Sequence, residues 1–258
     1  MSAYFFETSA RSAIGLVRQG NEDSAFASAQ LVAVADGMGG HAAGEVASRI
    51  AVQVLQELAP TLASDAIDED SVADLLMHSL HSIDAEITAT TNEDIEKRGM
   101  GTTLTALLIR ENRISLLHVG DSRCYRLRGN TLEQLSNDHT VIQELLDKGA
   151  ITEAEAAEHP QRSMLTQALR GDGDVTPVLQ MYEVKKGDRY LLCSDGLSGV
   201  LTDKEIKVGL KKSDKDEAVK FLHDATYING APDNVTILIA DITDQSHTSS
   251  HVLGAAHD

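Results

Sequence analysis

The sequence predicts an α+β fold in which sheet packs on sheet with helices outside. Three observations carry that reading. Segments of β type follow one another directly over 102–135, separated by the turn signals "REN", "GDS" and "RGN". Those signals suit antiparallel hairpins between neighbouring strands. Helical periodicity is grouped before and after the strand run instead of alternating with single strands, which sets the pattern apart from a parallel α/β sheet.

In chain order, residues 14–17 and 25–35 ("AFASAQLVAVA") read as short strands. From Gly44 to Ala59 the pattern turns helical: Val46, Ala47, Ile50, Val54, Leu55 and Leu58 share one face, and Pro60 is expected to end the run. A second amphipathic helix fits 69–90, with Val72, Leu75, Leu76, Leu80, Ile83 and Ile87 on its stripe. Strands are expected at 102–109, 113–119, 123–127 and 131–135. Residues 139–176, rich in Ala and Glu and closing on "RGDGD", read as a helical flap insertion carried on the sheet. Strands resume at 178–184 and 189–193, helices follow at 202–210 and 214–228, and "NVTILIADI" (234–242) closes the core. A domain is therefore expected over 1–243, followed by a flexible tail at 244–258.

The totals bound the function. The chain has 258 residues, 42% of them apolar, enough for a substantial core without staples. Aromatics reach only 3%, so that core is aliphatic. The two cysteines, Cys124 and Cys193, sit in apolar runs and read as reduced core thiols of a cytoplasmic domain. No segment is apolar enough for a membrane span or a signal peptide. Forty acidic against 22 basic residues give a net charge of −18, which repels nucleic acid and anionic lipid and favours cations.

The stretch "VAVADGMGGHAAGEVASRI" (32–50) invites two glycine readings. A P-loop fails, because Glu45 stands where the phosphate-binding lysine belongs. A dinucleotide fingerprint over Gly37, Gly39 and Ala42 remains a secondary alternative, although Glu57 falls in a helical pattern where a strand end is needed.

The aspartates suggest another chemistry. Asp36, Asp121, Asp195 and Asp233 each mark the edge of an apolar strand next to Gly or Pro. Turn-forming alone accounts for any one of them. Four at strand ends are more than turns need, and antiparallel strands can bring such ends together. Converging carboxylates repel unless a cation sits among them, and an all-oxygen set selects a hard divalent ion, Mn²⁺ or Mg²⁺, over zinc. Gly37, without a side chain, can turn its carbonyl onto that ion.

The motifs "NEDS" (21–24), "DGMGGHAAGE" (36–45), "GMGTT" (99–103), "VGDSR" (119–123), "CSDGLSG" (193–199) and "PDNVT" (232–236) occur in the order found in metal-dependent PP2C-type protein serine/threonine phosphatases. The chain resembles bacterial members from about residue 10 to residue 242. The resemblance implies a central β-sandwich of two antiparallel sheets flanked by helices, with two metal ions in a cleft at one end. It implies that Asp36 bridges the two ions, that Gly37 offers its carbonyl, and that Asp195 and Asp233 complete the ligands. Asp121 with Asp195 would hold a third ion, while Asp23 and Glu22 would act through water. Arg18 matches the family's phosphate-binding arginine, a role its fork of donors suits.

The implied chemistry is in-line attack on a phosphoserine or phosphothreonine monoester by water activated between two cations, without a phosphoenzyme. Met38 stands where animal-type relatives carry a histidine. His41, or else His159 in the flap, is then the candidate general acid, with water as the alternative. The expected partners are phosphorylated proteins, among them bacterial Ser/Thr kinases and their substrates, met by a monomeric enzyme. The competing class is a non-catalytic binding module on the same scaffold.

Overall fold

The computed structural model describes residues 4–39, 43–64, 66–157, 159–173 and 175–257. The chain opens with β1 (Phe5–Ala13), β2 (Asp23–Ala27) and β3 (Leu31–Met38), then α1 (Gly44–Leu62) and α2 (Glu69–Glu93). Strands β4 (Gly101–Thr102), β5 (Leu104–Arg110), β6 (Arg113–Val119), β7 (Arg123–Arg128) and β8 (Thr131–Gln134) follow. The flap holds α3 (Val141–Asp147) and α4 (Glu153–Ala157). After it come β9 (Val178–Glu183), β10 (Arg189–Cys193), α5 (Asp195–Ser198), α6 (Asp203–Leu210), α7 (Lys215–Ile228), β11 (Val235–Thr243) and β12 (His251–Gly254).

Among the described residues the strands form two antiparallel sheets. One runs β1-β11-β10-β7-β8, and the other β12-β2-β3-β5-β6-β9, with β4 paired to the end of β3. Side-chain alternation builds the layers. In β3, Leu31, Ala33 and Ala35 face α1 and α2, while Val32 and Val34 turn into the space between the sheets. In β11, Leu238 and Ala240 meet them there, and Val235, Ile237 and Ile239 pack under α5, α6 and α7. The result is the expected helix–sheet–sheet–helix sandwich. Its small aliphatic side chains let β3 and β11 lie side by side in separate layers, with their ends at the same edge.

Several boundaries differ from the sequence reading, each for a local reason. The span 25–35 divides into β2 and β3 because Ser28 Oγ accepts from the Leu31 amide at 3.0 Å and donates to the Leu31 carbonyl, closing a turn. Residues 14–17 are not a strand: this apolar run is a loop, and the first strand ends at Ala13. Helix α1 runs past Pro60 to Leu62. The "GDS" turn after β6 does not close a hairpin but carries the chain from one sheet to the other. The expected flexible tail contributes β12, which pairs antiparallel with β2, and the Ala255 amide donates to the Asp23 carbonyl at 2.8 Å. The flap is stitched at its base, where Val141 N donates to the Met164 carbonyl and Thr166 N to the His139 carbonyl. Both cysteines are free and buried, as expected, and burial pushes the Cys193 thiol up to about 12.

Candidate active site

The ends of β3 and β10, the starts of β2 and β11 and the β6–β7 crossing meet at one edge of the sandwich. Register places Asp23 directly opposite Asp36. Asp195 opens α5 just beyond β10, Asp233 stands two residues before β11, and Asp121 lies on the crossing between the sheets. A cleft of about 680 Å³ opens over Asp121, Asp195 and Asp233, with Asp138, Gln143 and Arg162 on its flap side.

The backbone at this edge is clamped. Asp36 N donates to Thr103 Oγ1 at 3.0 Å, and the Asp36 carbonyl accepts from Thr103 N at 2.9 Å and Thr102 Oγ1 at 3.0 Å. Thr103 Oγ1 in turn lies 2.5 Å from Ser122 Oγ, tying Asp36 to the residue after Asp121. Gly37 admits no side chain, since a Cβ there would stand 2.2 Å from the Gly44 carbonyl and 2.4 Å from that of Glu22. This close approach seats the start of α1 against the end of β3, so the glycines serve packing at the helix entrance. Asn234, nearly fully buried, accepts from Glu22 N and donates to the carbonyls of Ile14 and Gly20, which holds the loop carrying Arg18. Arg18 Nη2 donates to Asp233 Oδ2 at 2.6 Å.

The electrostatics are those of crowded acids. Asp36 is held well above the usual carboxylate range, first by burial and then by the charges of Asp23, Asp195, Asp121 and Asp233. Asp23 is raised to about 7 by burial, against the opposing hydrogen bond from Ser194. Burial and the neighbouring Asp195 raise Asp121 to about 7 as well. Asp195 is also raised, by burial and Asp233, although a hydrogen bond shared with Asp36 relieves part of this. Glu22 is raised by burial, with Arg18 pulling the other way.

Donor chemistry tests whether a hard cation fits. Among the described residues, no three or more His, Cys, Asp or Glu side chains form a metal-holding group as they stand. One oxygen of Asp23, Oδ1, is buried with no hydrogen-bond partner, while Oδ2 accepts from Ser194 Oγ at 2.7 Å. An orphaned carboxylate oxygen among four more acids, with Arg18 as the cation paired at the rim, is the donor set a hard divalent ion satisfies.

The sequence-selected residues Arg18, Glu22, Asp23, Asp36, Gly37, Asp121, Asp195 and Asp233 are therefore brought together. His41 lies outside the described residues. His159 lies in the flap, where its Nδ1 accepts from the nearby Gln161 amide at 3.2 Å. Sequence reasoning assigned no role to Thr102, Thr103, Ser122, Ser194 or Asn234. Their signal was present, since each sits inside one of the motifs beside an acid or a glycine.

The comparisons agree with this geometry. The family model described as protein phosphatase 2C matches residues 16–229. The serine/threonine protein phosphatase PstP of Mycobacterium tuberculosis is 45% identical over 241 residues, covering 92% of this chain and 45% of that protein. The chain thus spans about half the length of that curated relative. The serine/threonine phosphatase stp of Listeria monocytogenes is 33% identical over 245 residues, covering 92% of this chain and 96% of its own length. Among solved structures, the catalytic domain of PstP in complex with two manganese ions superposes with a TM-score of 0.85 at 42% identity, covering 93% of this chain and 99% of that one. With the family model matched over most of its length and a relative 33% identical along nearly the whole of both chains, the chain belongs to the protein phosphatase 2C family.

Proposed function

We propose that this chain is a metal-dependent protein phosphatase that hydrolyses phosphoserine and phosphothreonine in proteins. The observation that carries the reading is the set of acids around Asp36, with Arg18 at its rim. Asp36, the Gly37 carbonyl, Asp195 and Asp233 would hold two Mn²⁺ or Mg²⁺ ions, Asp121 with Asp195 a third, and Asp23 and Glu22 would act through water. When bound, such ions supply charge neutralisation and lower the pKa of water.

The chain's own residues do the positioning. The threonine clamp fixes the Asp36 backbone on both its N–H and its carbonyl, which sets where the side chain starts from at the strand end. Ser194 orients Asp23 by donating to its Oδ2. Arg18, half exposed, has donors beyond the one spent on Asp233 and can present them to the non-bridging phosphate oxygens. His41 stays the candidate for protonating the departing serine or threonine oxygen. The proposal extends to a monomeric cytoplasmic enzyme opposing Ser/Thr kinases, and two free buried thiols suit a reducing compartment.

The test is phosphate release from p-nitrophenyl phosphate and from a phosphothreonine peptide by chelator-stripped protein, with and without Mn²⁺. Turnover restored by the ion is expected. No turnover of either substrate at any Mn²⁺ or Mg²⁺ concentration would overturn the reading in favour of a binding module.

A further inference from the structure

Beside Arg18 the cleft has a shoulder built from two loops. The first is Ile14-Gly15-Leu16-Val17, immediately before Arg18, and the second is Asn229-Gly230-Ala231-Pro232, which runs from Ile228 at the end of α7 to Asp233. They are joined by backbone contacts. Leu16 N donates to the Ala231 carbonyl at 2.8 Å, and Gly15 N to Tyr227 Oη at 3.1 Å. A Cβ on Gly15 would stand 2.1 Å from the Asp233 carbonyl, so the first loop lies against the second. The Arg18–Asp233 ion pair closes the same junction at the cleft.

Neither loop holds a charged residue, in a chain of net charge −18. The aliphatic side chains at this junction nonetheless face solvent: Leu16 is 63% exposed, Val17 70%, Ile228 85% and Ile14 43%. The sandwich core is otherwise filled with residues of this kind, so solvating four of them on one junction calls for a reason. Packing does not supply it, because the loops are already fixed through backbone groups and Asn234.

Given the phosphatase reading above, on which this inference rests, we propose that Leu16, Val17 and Ile228 are specificity-determining residues. They receive an aliphatic side chain flanking the phosphorylated residue of a protein substrate. The argument is continuity: Val17 adjoins the arginine assigned to the phosphate, and Ile228 ends α7 where the loop to Asp233 begins. A substrate segment whose phosphate meets Arg18 has this shoulder beside it. Charged flanking residues gain nothing there, whereas an aliphatic one buries apolar surface on both partners.

The experiment uses the 258-residue chain with Mn²⁺ and two phosphothreonine peptides. They differ only in carrying leucine or serine on either side of the phosphothreonine, and p-nitrophenyl phosphate serves as the flank-free substrate. The expected result is a kcat/KM about tenfold higher for the leucine-flanked peptide. Leu16→Ser with Val17→Ser, and separately Ile228→Ser, should abolish that preference and leave p-nitrophenyl phosphate turnover unchanged. Equal rates on both peptides, or variants that lower all three substrates alike, would overturn the proposal while leaving the phosphatase reading intact. Variants that convert a dimer to a monomer without altering peptide preference would assign the shoulder to a second copy of the chain, and also overturn it. Failure of the unmodified protein to turn over even p-nitrophenyl phosphate would instead sink the phosphatase reading, and this inference with it.

Discussion

Asp23 and Asp188 are the same residue type, both at the edge of a strand and both almost wholly removed from solvent, at 1% and 2% exposure. The fold treats them in opposite ways. Asp188 receives Arg128 Nε and Nη2 at 2.7 Å each, the Lys185 amide at 2.8 Å and the Tyr190 hydroxyl at 3.4 Å. Asp23 has a hydrogen-bond donor on one oxygen, none on the other, and a pKa lifted to about 7. A buried acid with donors on both oxygens is an internal tie. A buried acid left short of donors among other acids is a place kept for a cation, and it costs stability until one arrives.

The largest effect expected from this contrast is at Asp36. Asp36→Asn should lower Mn²⁺-supported turnover of p-nitrophenyl phosphate by about 10³-fold or more, the scale of losing a central electrostatic group. The same substitution should raise the melting temperature of chelator-treated protein above neutral pH, because the amide is neutral without the proton uptake that burial among other acids imposes on Asp36. A variant that is inactive yet less stable without metal would break the comparison from the site's side.

Next is the tie itself. Asp188→Ala strips Arg128 of its carboxylate and leaves the guanidinium on the Glu183 carbonyl and solvent. Because Arg128 is about one-third exposed, the loss should be about 2–3 kcal/mol, below that of a fully buried pair. It would be read as a lower urea midpoint with kcat unchanged per folded molecule. A smaller change is expected at Ser194→Ala, which removes Asp23's donor from Oδ2: Mn²⁺ affinity should fall about tenfold, as for other groups that orient metal ligands indirectly. Unchanged affinity would mean that Asp23 needs no orienting partner.

The mildest test is pH. Asp23 and Asp121, with folded values near 7 against an ordinary value near 4, bind protons more tightly in the folded state than in the unfolded one. Their contribution therefore favours the fold at acid pH and is lost as pH rises from about 4 to 7. Chelator-treated protein should melt a few degrees higher at pH 5 than at pH 7.5, and saturating Mn²⁺ should shrink that gap. A metal-free melt that rises with pH over this range would contradict the assignment.

How much of this was legible depended on the kind of signal. The acids could be read because each follows or precedes an apolar run beside Gly or Pro, a position that survives any error in strand boundaries. The sandwich could be read from the strand run and the grouping of helices. Which sheet each strand joins could not, because "GDS" looks like a hairpin turn while it carries the chain across the layers. The stretch Ile14–Val17 misled for the converse reason, being apolar enough for a strand yet held as an exposed loop by Ala231 and Tyr227. Strand β12 is four residues long, and its place depends on the open edge of β2, a partner more than 200 positions away. The threonine clamp on Asp36 was visible as a motif, but its purpose becomes clear only once β3, β4 and the β6–β7 crossing lie together.

The central claim is that the acids around Asp36 form a cation site held in a protonated state until metal binds. Calorimetric titration of Mn²⁺ into chelator-stripped protein near pH 6.5, repeated in buffers of different ionisation enthalpy, tests it most directly. The account predicts binding of at least two ions with measurable proton release, and loss of both the tight stoichiometry and the proton release in Asp36→Asn. Unchanged stoichiometry and affinity in that variant, or binding without proton release, would contradict it.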